Sequence, residues 1–140
     1  MLRSFLSSLG LLLTASFLLP SCNSKEDAAE KQVHTEQADS AALYYYQLRA
    51  KGQFADYVAA MESCDSTTEA YRKQMERLLR HHQQKVVEEK QGLASVRVER
   101  TEMYDSNRVA NVFLTVTYKD GTHEEILFPV VYDGHHWRVR

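Results

Sequence analysis

The sequence predicts an α+β domain with its N-terminal helices on one face of a four-stranded antiparallel meander. Two observations carry this. Apolar residues recur every three to four positions up to Gly92 and every second position after it, the change that separates helix from strand. Beyond Gly92, Asp120-Gly121 and Asp133-Gly134 fall between apolar runs, where hairpins turn.

In chain order, Ser40 is a suitable N-cap for a first helix, in which Ala41, Tyr44, Tyr45 and Leu48 keep helical spacing until Gly52 stops it. Phe54, Tyr57, Val58 and Met61 form the stripe of a second helix. Ser66 and Glu69 are spaced as a capping box for the third and longest helix. Its apolar stripe runs through Tyr71, Met75, Leu78, Leu79, His82 and Val86, with Arg72, Arg77, Arg80, Lys85, Glu88 and Glu89 outside. Val96 and Val98 begin the first strand, which turns near Asp105-Ser106-Asn107. Ala110, Val112, Leu114, Val116 and Tyr118 alternate along the second. Ile126–Tyr132 forms the third, where Pro129 predicts a bulge or a free edge because it has no N–H to give. Trp137-Arg138-Val139 is the fourth.

Ahead of this domain the composition changes twice. Arg3, the apolar run Phe5–Leu19 and the junction Leu19-Pro20-Ser21 have the order of a secretory signal, residues 1–21. As a helix the run measures about 22 Å at ~1.5 Å per residue, short of the ~30 Å hydrocarbon core, and Pro20 ends it. Leu19-Pro20-Ser21-Cys22 resembles the lipobox of bacterial lipoproteins, which implies lipidation of Cys22 and a membrane-anchored protein of the cell envelope. The outer membrane is the expected site, with the domain in the periplasm or on the cell surface. Residues 22–39 are polar and apolar-poor, and read as a lipidated cysteine followed by a flexible tether. With Cys22 acylated, Cys64 has no partner within the chain and reads as a buried small hydrophobe. A formal net charge of −2 gives no footprint for nucleic acid.

Residues 40–140 resemble nuclear-transport-factor-2-like (cystatin-like) domains. The resemblance rests on the helical segment Ala41–Met61 broken at Lys51-Gly52-Gln53-Phe54, on Val112-Phe113-Leu114-Thr115-Val116, and on the closing Asp133-Gly134-His135-His136-Trp137-Arg138-Val139. It implies a cone between helices and a curved sheet. It does not select a function, since relatives include transport scaffolds, isomerase- and dehydratase-like enzymes and ligand-binding modules.

The residues bear on that choice unequally. His81-His82 and His135-His136 are sequence neighbours that do not share a face, and no metal-ligand spacing occurs, so neither a metal nor another cofactor is expected. His34, His81 and His123 read as surface residues. His82, on the apolar stripe, is the one candidate acid–base group. No acidic residue matches the place an acid–base partner takes inside the cone of such enzymes; Glu102 and Tyr104 are singled out only by their nearness to a strand end. Aromatics are more numerous: Tyr45, Tyr57, Tyr118 and Trp137 are the candidate ligand-binding residues, able to line a cavity for an apolar or glycan ligand. Of Tyr44-Tyr45-Tyr46, the first two fit the buried stripe and Tyr46 lies near its boundary. The expectation is a non-catalytic binding or assembly module with a membrane anchor and a small ligand, glycan or envelope protein as partner. The alternative is an isomerase- or dehydratase-like enzyme.

Overall fold

The computed structural model describes residues 24–140. Helix α1 (Ser24–Ala50), α2 (Phe54–Ala60), a single 3-10 turn (Glu62–Cys64) and α3 (Glu69–Lys90) precede strands β1 (Leu93–Tyr104), β2 (Val109–Tyr118), β3 (His123–Tyr132) and β4 (Trp137–Val139). The strands pair in sequence order, all antiparallel. The expected architecture is therefore present: three helices on one face of a meander. The signal segment and Cys22 lie outside the described residues.

The first helix starts sixteen residues earlier than its predicted cap, so the described part of the expected tether is helical. Its polar composition hides two small contact points. Ala38 and Ala42 are fully buried against the sheet, where only a methyl group fits, and Asp39 accepts a hydrogen bond from Thr101 of β1. Ser40 does not cap; its hydroxyl donates to the Glu36 carbonyl within the helix. His34 is partly exposed, yet it also makes contacts. Its ring packs edge-on against Tyr132 and Trp137, with centroids 5.2 and 6.1 Å away. Ala38, Ala42 and Leu48 set the buried face, and Tyr44, about 200° round from Ala42 at 3.6 residues per turn, is 58% exposed. Tyr45 and Tyr46 take the half-buried places instead.

Gly52 does end α1. Its φ of +80° lets Gln53 N donate to Leu48 O and Gly52 N to Arg49 O, the paired bonds of a Schellman cap. The third helix is capped by Thr68, whose side chain accepts from Tyr71 N, not by Ser66. No residue of α3 is fully buried: Leu79 and Val86 pack on the core, while Tyr71 and Leu78 face outward. The helix therefore flanks the sheet at one end instead of lying across it.

The core is the inner row of β2 (Ala110, Val112, Leu114, Val116 and Tyr118) with Phe128, Val130, Trp137 and Val139, closed by Leu48 and Tyr57. Free Cys64 is buried, as expected. The sheet's irregularity lies in β1 and not at Pro129. Pairing shifts between Val98 and Arg100, so Val96 and Val98 face inward before the bulge, and Thr101 and Met103 after it. Pro129 keeps regular register opposite Asn111. Its carbonyl accepts from Arg140 N, so its imino nitrogen also points away from β2, where no ladder bond is lost.

Candidate functional site

Where the last turn of α1, the middle of α3 and the β2–β3 hairpin meet, they leave a half-open cleft of about 250 Å³. Local structure fixes each wall. The glycine cap ends α1 just beyond Arg49, a cation in the last turn where the helix dipole favours positive charge. Gln83 Nε2 donates to Ala50 O at 3.2 Å, which satisfies an end carbonyl of α1 and draws α3 alongside. His82, the preceding residue, is thereby brought to Arg49. On the sheet side the inner row of β3 runs Tyr132, Val130, Phe128, Ile126 and then Glu124, opposite Val116. A carboxylate thus stands at the mouth of an otherwise apolar row.

The polar groups divide into two sets. In the first, Arg49 Nη2 lies 3.0 Å from His82 Nδ1. The same Nη2 lies 3.5 Å from Nε2, and because a guanidinium can only donate, the ring meets it with a deprotonated nitrogen. His82 is largely exposed; partial desolvation, then the Arg49 charge, hold its pKa below the ordinary value, so the ring is neutral near pH 7. In the second set, Tyr118 Oη donates to Glu124 Oε1, and Lys90 Nζ reaches Glu124 Oε2 at 3.3 Å. Lys90 also stands 4.1 Å over the Tyr118 ring. Burial and then the Glu124 hydrogen bond push the Tyr118 phenol upward; donation from Tyr118 holds the Glu124 carboxyl down. Tyr46 and Tyr57 are raised chiefly by burial. Around neutrality the cleft holds two guanidiniums, half-buried Arg49 and exposed Arg140, with a neutral imidazole, three phenols and a carboxylate, above an apolar floor of Ile126, Phe128 and Val139.

Among the residues singled out from sequence, Tyr57, Tyr118 and His82 share this cleft. Tyr45 does not. It lines a shallower depression with Tyr44, Asp56, Asp133, His136 and Arg138, and its hydroxyl donates to Trp137 O at 2.7 Å. Trp137 is buried under His34 and Tyr132, and faces neither hollow. Glu102 and Tyr104 bond to each other on the exposed face of β1. His135 and His136 sit in the β3–β4 loop, where their amides donate to Asp133 Oδ1. Sequence reasoning missed Arg49, Tyr46 and Glu124. For Glu124 the signal was present, since strict alternation back from Phe128 through Ile126 places it inward. For Arg49 there was none, because its role depends on where α3 docks. No group of three or more His, Cys, Asp or Glu side chains gathers among the described residues to hold a metal.

No family model and no curated protein matches the sequence. A solved structure that is similar comes from Campylobacter jejuni and is described as a candidate NTF2-like transpeptidase. It is 9% identical, with a TM-score of 0.57 over 84% of this chain and 97% of that one. At that identity the likeness speaks to architecture alone. Together with three helices on an ordered β1-β2-β3-β4 sheet, it shows that the fold is nuclear-transport-factor-2-like.

Proposed function

We propose that the protein is an envelope lipoprotein, anchored at Cys22, whose domain is a binding module that takes a small ligand in the cleft between α1, α3 and the β2–β3 hairpin. One observation carries the binding reading: polar groups of both signs and three phenols converge over an apolar floor in a space left unfilled by the chain. Sites that fix a ligand's orientation combine apolar walls with a few placed polar groups in this way. The anchor rests on the lipobox-like Leu19-Pro20-Ser21-Cys22. A thermal-shift screen of purified protein against envelope glycans, peptides and small metabolites tests the reading. A ligand at about one hundred times its dissociation constant stabilises by ~2.7 kcal/mol. Tyr57→Phe and Tyr118→Phe should weaken its capture while circular dichroism stays native. A screen in which nothing shifts the transition overturns the proposal.

A second reading is favoured by His82 alone. A neutral imidazole at the mouth of a cleft is equipped to move a proton, as in an isomerase- or dehydratase-like enzyme. His82→Gln would then remove turnover and leave ligand affinity largely intact. Transpeptidation, suggested by the name of the similar structure, is not proposed: the cleft is lined by no serine or cysteine to form an acyl intermediate.

A further inference from the structure

Resting on the binding reading above, we infer that the cleft selects a small molecule with one carboxylate on an apolar body, the carboxylate meeting Arg49 and the body lying on Phe128, Ile126 and Val139. The charge pattern points there. Arg100 and Arg138 each have a carboxylate partner, Glu125 at 3.1 Å and Asp65 at 2.5 Å. Arg49 is half-buried and forms no ion pair among the described residues; its polar neighbours there, the His82 ring and the Tyr57 hydroxyl, are neutral, and Arg140, the other arginine of the cleft, is exposed. A partly desolvated guanidinium without a counter-charge gains more from an arriving anion than an exposed one does.

The carboxylate already in the cleft pairs elsewhere and not with Arg49. Both oxygens of Glu124 are occupied, one by Tyr118 and the other by Lys90, which also balances its charge. A planar guanidinium fork matches a carboxylate in two parallel bonds. The apolar part of the ligand follows from the floor, and its small size from the ~250 Å³ volume, below the ~300–1,000 Å³ of pockets that take drug-sized molecules.

The test compares three probes of one shape by titration calorimetry on the purified protein: phenylacetate, phenylacetamide and phenylethylammonium. The expected result is saturable binding of phenylacetate, about tenfold or more tighter than either of the others. It should weaken as sodium chloride is raised, and be lost in Arg49→Gln with circular dichroism unchanged. If that variant does not fold, Arg49→Lys keeps the charge but not the fork, and several-fold weaker binding is expected. Equal binding of the amide or the ammonium, or full affinity in a folded Arg49→Gln, overturns the carboxylate inference while the binding reading stands. Absence of binding by all three probes also overturns it, and the wider ligand screen then decides the binding reading separately.

Discussion

Arg49 Nη2 stands 3.0 Å from Nδ1 of His82, across a sequence gap of thirty-three residues, and its charge adds to desolvation in holding the imidazole pKa down. It joins the end of α1 to the middle of α3 at the mouth of the cleft. Disturbing either partner should therefore be read in both stability and binding.

The pH dependence has a definite sign. The folded pKa of His82 lies below its unfolded value of about 6.5, so the unfolded chain binds the extra proton more readily. This contribution to stability is fully present above pH 6.5 and is lost as pH falls toward the folded pKa. His82→Gln should flatten the decline in melting temperature between pH 6.5 and 5 and leave the value at pH 8 little changed. Thermal melts of the two proteins across that range check it; parallel curves would contradict it.

Trp137 should act through the core. It is 5% exposed and covered by His34 and Tyr132, so Trp137→Ala removes a packed indole and should cost about 3–5 kcal/mol. With domains stable by about 5–15 kcal/mol, a large drop in denaturation midpoint is expected. A midpoint near that of the native protein would place the ring at the surface.

The seat of α1 is open to a sharper test than its composition suggests. Ala38 is fully buried against the sheet, and Ala38→Leu should cost about 1–3 kcal/mol by overpacking. Glu30→Leu, on the exposed side of the same helix, should stay within about 0.5 kcal/mol. Equal, small effects at both positions, measured by urea denaturation, would mean that this stretch is a free tether.

Anchoring is tested by fractionation. Burial of an acyl chain contributes ~0.8 kcal/mol per methylene, and one chain alone holds only marginally. A multiply acylated Cys22 should keep the protein in the membrane fraction, and Cys22→Ser should release it. Recovery of the native protein in the soluble fraction without lipid would refute the anchor.

The period change at Gly92, the Asp-Gly hairpins and the glycine stop at Gly52 were enough to determine three helices followed by an antiparallel meander, because these signals act over a few neighbouring residues. Tertiary structure decided what depends on contacts distant in sequence. Sixteen residues of polar helix ahead of Ser40 are held by two buried alanines and by His34 against Trp137, and polarity alone cannot reveal a seat that needs only methyl groups. The bulge in β1 reversed which residues face inward beyond Val98, an event with no local signature. The cleft was partly legible: Tyr57, Tyr118 and His82 stood out by type and period, and Glu124 was readable by alternation. Tyr45 and Trp137 looked equivalent to them in sequence, yet Trp137 is sealed into the core and Tyr45 serves it from another hollow. Arg49 became a cleft residue only because Gln83 ties α3 to the end of α1, a docking that the sequence of neither helix encodes by itself.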